Sequence, residues 1–259
     1  MIYQIIKYFE FLIKSTSKHG VHSPFVFDLV TNCFNKKTQK RKLKIFSNYQ
    51  LFLKNNKDNI KVTDFGAGSR VFKTNERLVS DILKHVTVSK KQGAFLIRLV
   101  EYFNFKNILE IGTSLGVGTL TFALGNEKAT ITTLEGCPNT IKIPKENLYK
   151  FTSNSINFIE GQFSKTLTEV VNKNTFDLVY FDGNHQKQAT IDYFEMCLQS
   201  IHNNTVFIFD DIYWSKEMTE AWEFIKNHPK VKLTIDTYNL GFVFFREEQY
   251  QKEHFVIRM

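Results

Sequence analysis

From residue 107 onward the chain alternates short runs of β-branched and aromatic residues with stretches of helix length, and this alternation restricts the fold more than any other feature. The runs are NILEIG (107–112), TITTLEG (130–136), SINFIEG (155–161), DLVYFDG (177–183) and TVFIFDD (205–211), most of them ending in an acid or a glycine. Between and after them lie Lys187–Ile201 and Ser215–Asn227, which read as helices. Strands separated by helices pair in parallel, and a parallel sheet must be covered on both faces. Two final runs, VKLTIDTY (231–238) and FVFFRE (242–247), are separated only by Asn239-Leu240-Gly241. That is too short for a crossover helix, so they pair as an antiparallel hairpin. The expected architecture is α/β: a doubly wound sheet of five parallel strands closed by an antiparallel C-terminal hairpin.

Residues 1–85 read differently, as a basic and mainly helical N-terminal cap. Helical apolar spacing covers Tyr3–Ser15, Pro24–Phe34 and Leu43–Leu53, with one extended segment at Ile60–Phe65, and Lys90–Phe103 leads into the first strand. The chain has 259 residues, 42% hydrophobic and 23% charged, which excludes a disordered or collagen-like polymer. Residues 1–100 hold 19 Lys and Arg against 6 Asp and Glu; residues 101–259 hold 15 against 20. A basic front on an acidic body suits an anionic partner such as tRNA, although the densest run, Lys36–Lys44, lacks the interleaved aromatics that stack bases. The first residues, interrupted by Lys7, Glu10 and Lys14, do not form a secretory signal. Cys33, Cys137 and Cys197 are odd in number and lack metal spacing, as expected of reduced thiols in a cytoplasmic protein.

The first strand runs into Gly112-Thr113-Ser114-Leu115-Gly116-Val117-Gly118 and then a helix. Glycines there let backbone approach a ligand, and a helix N-terminus offers free N–H groups. The spacing is not the G-x-G-x-x-G of a dinucleotide site. Glu110, two residues before the first glycine, suits an ammonium group and disfavours a pyrophosphate. Glu135 ends the next strand, where a carboxylate accepts hydrogen bonds from ribose hydroxyls. An adenosine sugar plus an ammonium, with no phosphate, describes S-adenosyl-L-methionine. A second loop, Asp64-Phe65-Gly66-Ala67-Gly68-Ser69, also has the acid-x-Gly-x-Gly pattern. Taking it as the cofactor loop leaves 112–118 unexplained; a turn in the cap, with Arg70 and Lys73 nearby, is the simpler reading.

On these residues, 86–259 resembles the class I S-adenosylmethionine-dependent methyltransferases, most closely the catechol O-methyltransferase-like branch, whose domain is Rossmann-like. The resemblance implies an EC 2.1.1 activity, with O-methylation of a hydroxyl acceptor. It implies cofactor contacts at Glu110, Gly112, Thr113, Ser114, Gly116, Gly118, Glu135, Gly136, Gly161, Gln162 and Asp182. Where relatives carry a hydroxyl residue late in the first loop, this chain has Gly118.

Asp182 closes the fourth strand, His185 follows it, and Asp210 and Asp211 close the fifth. Carboxyl ends of neighbouring parallel strands lie side by side, so the three carboxylates are expected to converge, and an all-oxygen set selects a hard cation such as Mg²⁺. Metal-dependent relatives carry Asp-Asn where this chain has Asp210-Asp211, and a lysine base where it has His185. The catalytic residues implied are His185 as base and Asp182; the metal ligands implied are Asp182, Asp210 and Asp211. A helix-capping role for the Asp pair and for His185 stays open. His19 and His22 precede Ser23-Pro24, a helix start with Ser23 as cap. A small-molecule hydroxyl acceptor is favoured; a hydroxylated nucleoside in tRNA, a nonenzymatic RNA- or partner-binding role for the fold, and a homodimer are the alternatives carried forward.

Overall fold

The computed structural model describes residues 2–66, 68, 72–86 and 88–259. In chain order the N-terminal elements are α1 (Ile2–Lys14), α2 (Pro24–Leu29) with a π-turn to Phe34, α3 (Lys40–Asn55), β1 (Asn59–Lys61), β2 (Glu76–Leu78), α4 (Val79–Val86) and α5 (Lys90–Phe103). They are followed by β3 (Asn107–Ile111), α6 (Val117–Gly125), β4 (Thr130–Glu135), α7 (Pro138–Asn147), β5 (Ile156–Glu160), α8 (Phe163–Lys173) and β6 (Leu178–Phe181). The remainder is α9 (Lys187–Cys197), β7 (Val206–Asp210), α10 (Lys216–Asn227), β8 (Leu233–Asp236), β9 (Leu240–Phe244) and β10 (Glu253–Val256). The chain forms two compact units, 36–166 and 1–35 with 167–259, divisions that do not coincide with residue 85.

In the unit 36–166, β3, β4 and β5 run parallel, with Glu110 opposite Thr133 and Glu135 opposite Glu160. These strands have apolar residues on both faces, as parallel strands between helices require. The α6 sequence VGTLTFALG is apolar all round, and every one of its residues is buried. It packs closely on α5: a Cβ on Gly125 would come within 2.3 Å of Val100. Ser89 caps α5 by accepting from the Gln92 N–H at 3.2 Å. The extended segment expected at Ile60–Phe65 is the short strand β1, antiparallel to β2.

In the unit 1–35 with 167–259, β6 and β7 are parallel, Phe181 facing Phe209 with their rings stacked at 4.2 Å. The strands β7 and β9 are antiparallel, and β8 and β9 form the expected hairpin. The closing element is larger than a hairpin, however, because β10 adds a further strand parallel to β8. Its four residues, half-exposed and beyond the polar stretch Glu247–Lys252, have too little pattern to mark a strand. Tertiary contact fixes them, including a 2.7 Å hydrogen bond between Thr234 Oγ1 and His254 Nδ1. Trp222, Phe194, Phe207, Phe242 and Phe244 fill this core. Ser23 caps α2 as its sequence indicates, accepting from Val26 N–H with Pro24 at the first turn. Among the described residues no helix is long and apolar enough to cross a membrane.

Candidate active site

Within the unit 36–166, the loop after β3 is tied to the end of β4. Gly112 and Thr113 both donate their N–H to the Leu134 carbonyl at 3.0 Å. Ser114 then turns into the left-handed region (φ 47°) and donates its N–H to Glu135 Oε2 at 2.8 Å. The other oxygen of Glu135 accepts from the Cys137 N–H at 2.9 Å. Burial raises the Glu135 carboxyl above its ordinary range, and these backbone donors pull it back down. Gly116 is required twice over, by its φ of 72° and because a Cβ there would sit 2.5 Å from Pro144.

Glu110, only 1% exposed, lies beneath this loop. Its Oε2 accepts from the hydroxyls of Thr119 at 2.5 Å and Thr133 at 2.7 Å, and Thr133 also bonds Thr113 Oγ1 at 2.6 Å. Desolvation pushes the Glu110 carboxyl up to about 8 against the pull of these two hydroxyls, with the Glu135 charge adding to the rise. The absence of a hydroxyl residue at 118 has a local explanation, since a Cβ on Gly118 would come within 2.5 Å of Glu110 Oε1. Gly161 follows β5 and donates its N–H to the Glu135 carbonyl at 2.9 Å; Gln162 beside it is exposed. The structure therefore gathers Glu110, Gly112, Thr113, Ser114, Gly116, Gly118, Glu135 and Gly136 at the carboxyl ends of β3 and β4.

Sequence reasoning set the Asp64-Phe65-Gly66 loop aside, yet it reaches this corner. A Cβ on Gly136 would lie 2.8 Å from the Phe65 ring, and the Asp64 charge contributes to the rise at Glu135. Phe65 is 46% exposed, an aromatic face beside the β4 carboxylate. The signal that would have found it is the pairing of β1 with β2, which three-residue strands hide. Ala67, Ser69 and Arg70, part of the same reading, lie outside the described residues.

In the other unit, Asp182 follows β6 directly, one position beyond the Phe181–Phe209 pair and so level with Asp210 at the end of β7. His185 Nε2 stands 3.7 Å from Asp182 Oδ1, both side chains about a quarter exposed. Asn184 and His185 both adopt left-handed backbone, φ 72° and 49°, a costly conformation outside glycine. The His185 ring lies 5.9 Å from that of Trp214. Asp210 is held by the Tyr180 hydroxyl at 3.1 Å and by the Asp211 N–H at 3.0 Å. Among the described residues no three His, Cys, Asp or Glu side chains are grouped so as to hold a metal ion. Of the expected metal set of Asp182, Asp210 and Asp211, Asp210 accepts from the Tyr180 hydroxyl and Asp211 stands at φ 55°. The capping alternatives also fall away. Ser215 caps α10 through the Met218 N–H at 3.1 Å, and Gln186, not His185, occupies the N-cap of α9.

The chain is similar to several known proteins. The model of the O-methyltransferase family matches residues 71–237, and the chain belongs to that family. It is 26% identical over 132 residues to a catechol O-methyltransferase of Mycobacterium tuberculosis, covering 50% of this chain and 59% of that protein. A catechol O-methyltransferase of Niastella koreensis is 27% identical over 131 residues, 49% of this chain and 58% of the relative. The chain thus spans less than two thirds of the length of these curated relatives. Among solved structures, an SAH-bound methyltransferase of Podospora anserina superposes with a TM-score of 0.61 at 18% identity, over 88% of this chain and 97% of its own. An O-methyltransferase of Bacillus cereus in complex with SAH gives 0.56 at 21% identity, over 80% and 91%. At such identities these structures establish the fold: α/β, Rossmann-like and mostly parallel.

Proposed function

We propose that this chain transfers the methyl group of S-adenosyl-L-methionine to a hydroxyl oxygen of a small molecule. The observation that carries this reading is the held Glu135 carboxylate, whose two oxygens are aimed by the Ser114 and Cys137 N–H groups at the mouth of the glycine loop. A carboxylate fixed in this way keeps lone pairs for a ribose diol, and its donors among the described residues are backbone N–H groups. The SAH complexes of the structural relatives support the same cofactor.

When bound, S-adenosylmethionine supplies an electrophilic methyl on a sulfonium, so catalysis consists of positioning the acceptor and removing its proton. Glu135 holds the ribose, Gly112 to Gly118 admit the methionine end, Glu110 supports that loop from below, and Gly161 and Gln162 border the adenine. His185 takes the acceptor's proton, and Asp182 stabilises the imidazolium that results. No step is assigned to a metal.

Residues 86–259 act as the methyltransferase domain in this reading, and 1–85 as an accessory segment. The basic run supports a small acceptor over tRNA, since Lys42 is committed within the unit: it pairs with Glu101 at 2.5 Å and reaches the Gly125 carbonyl at 3.3 Å. Three buried cysteines, with no disulfide among the described residues, fit a reducing, cytoplasmic setting. The test is transfer of a labelled methyl group from S-adenosylmethionine to catechols and other phenols, with bulk tRNA in parallel. Labelled tRNA without labelled phenol would overturn the small-molecule acceptor.

A further inference from the structure

Asp236 ends β8 as a carboxylate only 4% exposed, and the mechanism above does not use it. A buried charge is costly unless it is hydrogen-bonded, and both oxygens of this one are: Oδ2 accepts from the Tyr213 hydroxyl at 2.5 Å and Oδ1 from the Tyr238 N–H at 2.8 Å. Burial raises the carboxyl above its ordinary range, and these donors pull it back down. Such a buried polar pair is weak evidence for stability, since well-packed apolar residues commonly serve as well. What it supplies is position, by tying the segment after β7 to the end of β8.

That segment, Asp211–Ser215, joins β7 to α10. The Asp211 N–H donates to the Asn239 carbonyl and the Trp214 N–H to the Asp211 carbonyl, both at 2.9 Å, while the Trp214 carbonyl accepts from Gln4 Nε2 at 3.3 Å. The Tyr213 ring stacks on that of Tyr238 with centroids 5.4 Å apart. Tyr238, in left-handed backbone at φ 73°, donates its hydroxyl to the Gln4 carbonyl at 2.8 Å. Of these bonds, the one between Tyr213 and Asp236 joins side chain to side chain and so depends on the identity of both residues. Trp214 follows Tyr213 directly, so the bond that stops Tyr213 from turning also sets the direction of the indole. That indole stands 5.9 Å from the His185 ring, tilted by 38°, and an acceptor whose hydroxyl reaches His185 meets it. Resting on the methyl-transfer reading with His185 as base, we propose that Asp236 is a positioning residue: through Tyr213 it holds the Asp211–Ser215 segment so that Trp214 forms a fixed wall of the acceptor site.

The experiment compares the full chain with Tyr213→Phe, Asp236→Asn and the double variant, by steady-state kinetics with catechol, by melting, and by acrylamide quenching of tryptophan fluorescence. Tyr213→Phe should raise the KM for catechol about tenfold while kcat and cofactor affinity stay within about twofold. It should also open Trp214 to acrylamide; Trp222, the other of the two tryptophans, is 1% exposed and stays protected. Asp236→Asn keeps the contact in reverse, Nδ2 donating to the Tyr213 oxygen, and should leave KM and quenching within about twofold of the wild type. Because Tyr213→Phe leaves a buried charge without its hydroxyl donor, its melting midpoint should fall, and the double variant, which removes that charge, should recover it. In the double variant KM and quenching should stay high. An acceptor KM that recovers together with the midpoint would make the pair a stabilising contact only and overturn the proposal, and so would unchanged quenching in Tyr213→Phe. Should the wild type methylate no phenol, the methyl-transfer reading fails by itself, and the quenching series then decides alone whether Asp236 holds Trp214.

Discussion

Thr119 donates its hydroxyl to Glu110 across the first turn of α6, at 2.5 Å, so the acid before the glycine loop and the helix after it are locked together below the site. Burial raises the Glu110 carboxyl to about 8 in the folded protein, above its ordinary 4.5. The folded state therefore binds this proton more tightly than the unfolded state, and stability is lost as pH rises between those two values. Glu110→Gln, which keeps the shape and removes the charge, should be more stable than the wild type by about 1–3 kcal/mol at pH 8 and above, with the gap closing towards pH 4.5. Denaturant titrations of both proteins at several pH values check this. A constant difference across that range would show that Glu110 is not titrating inside the fold.

Phe65 supplies an aromatic face beside Gly136 and Glu135. If it borders the cofactor's sugar and base, Phe65→Ala weakens S-adenosylmethionine binding by about 0.5–1.5 kcal/mol while the melting midpoint stays close to that of the wild type, since the ring is half-exposed. Isothermal calorimetry reads the first and scanning calorimetry the second. Unchanged affinity would return the Asp64–Gly66 loop to a purely structural role.

His185 carries the proton in this mechanism. His185→Ala should lower kcat about 10²- to 10³-fold and leave cofactor affinity unchanged, as steady-state kinetics and calorimetry would read. Because no step of this mechanism uses a metal, turnover should also persist in EDTA. Activity lost in chelator and restored by Mg²⁺ would show that Asp182, Asp210 and Asp211 close around a metal when substrate binds.

Much of the fold was legible because parallel strands announce themselves: ILEI at Ile108–Ile111 and VFIFD at Val206–Asp210 are apolar on both faces and lie where strands were expected. Strand β10 was not legible, for four half-exposed residues at an edge have no periodicity to read. At the site, Glu110 and Glu135 stood out as acids interrupting apolar runs. The partners that define them did not, since Thr119 and Thr133 resemble ordinary buried threonines until the register sets Glu110 opposite Thr133. The surroundings of the carboxylate trio were not legible either. Adjacent strand ends place Asp182 and Asp210 level, but sequence cannot show that Tyr180 engages Asp210 or that Asp211 leaves the strand conformation.

The most decisive measurement is calorimetric titration of the full chain with S-adenosylmethionine, repeated on Glu135→Ala. The wild type should bind with a dissociation constant well below ~1 mM, and the variant should bind more weakly by roughly 1–3 kcal/mol with its fold intact, through loss of charge-assisted hydrogen bonds to the ribose. No heat of binding by the wild type at ~1 mM cofactor would contradict the assignment and leave a methyltransferase fold that serves some other purpose.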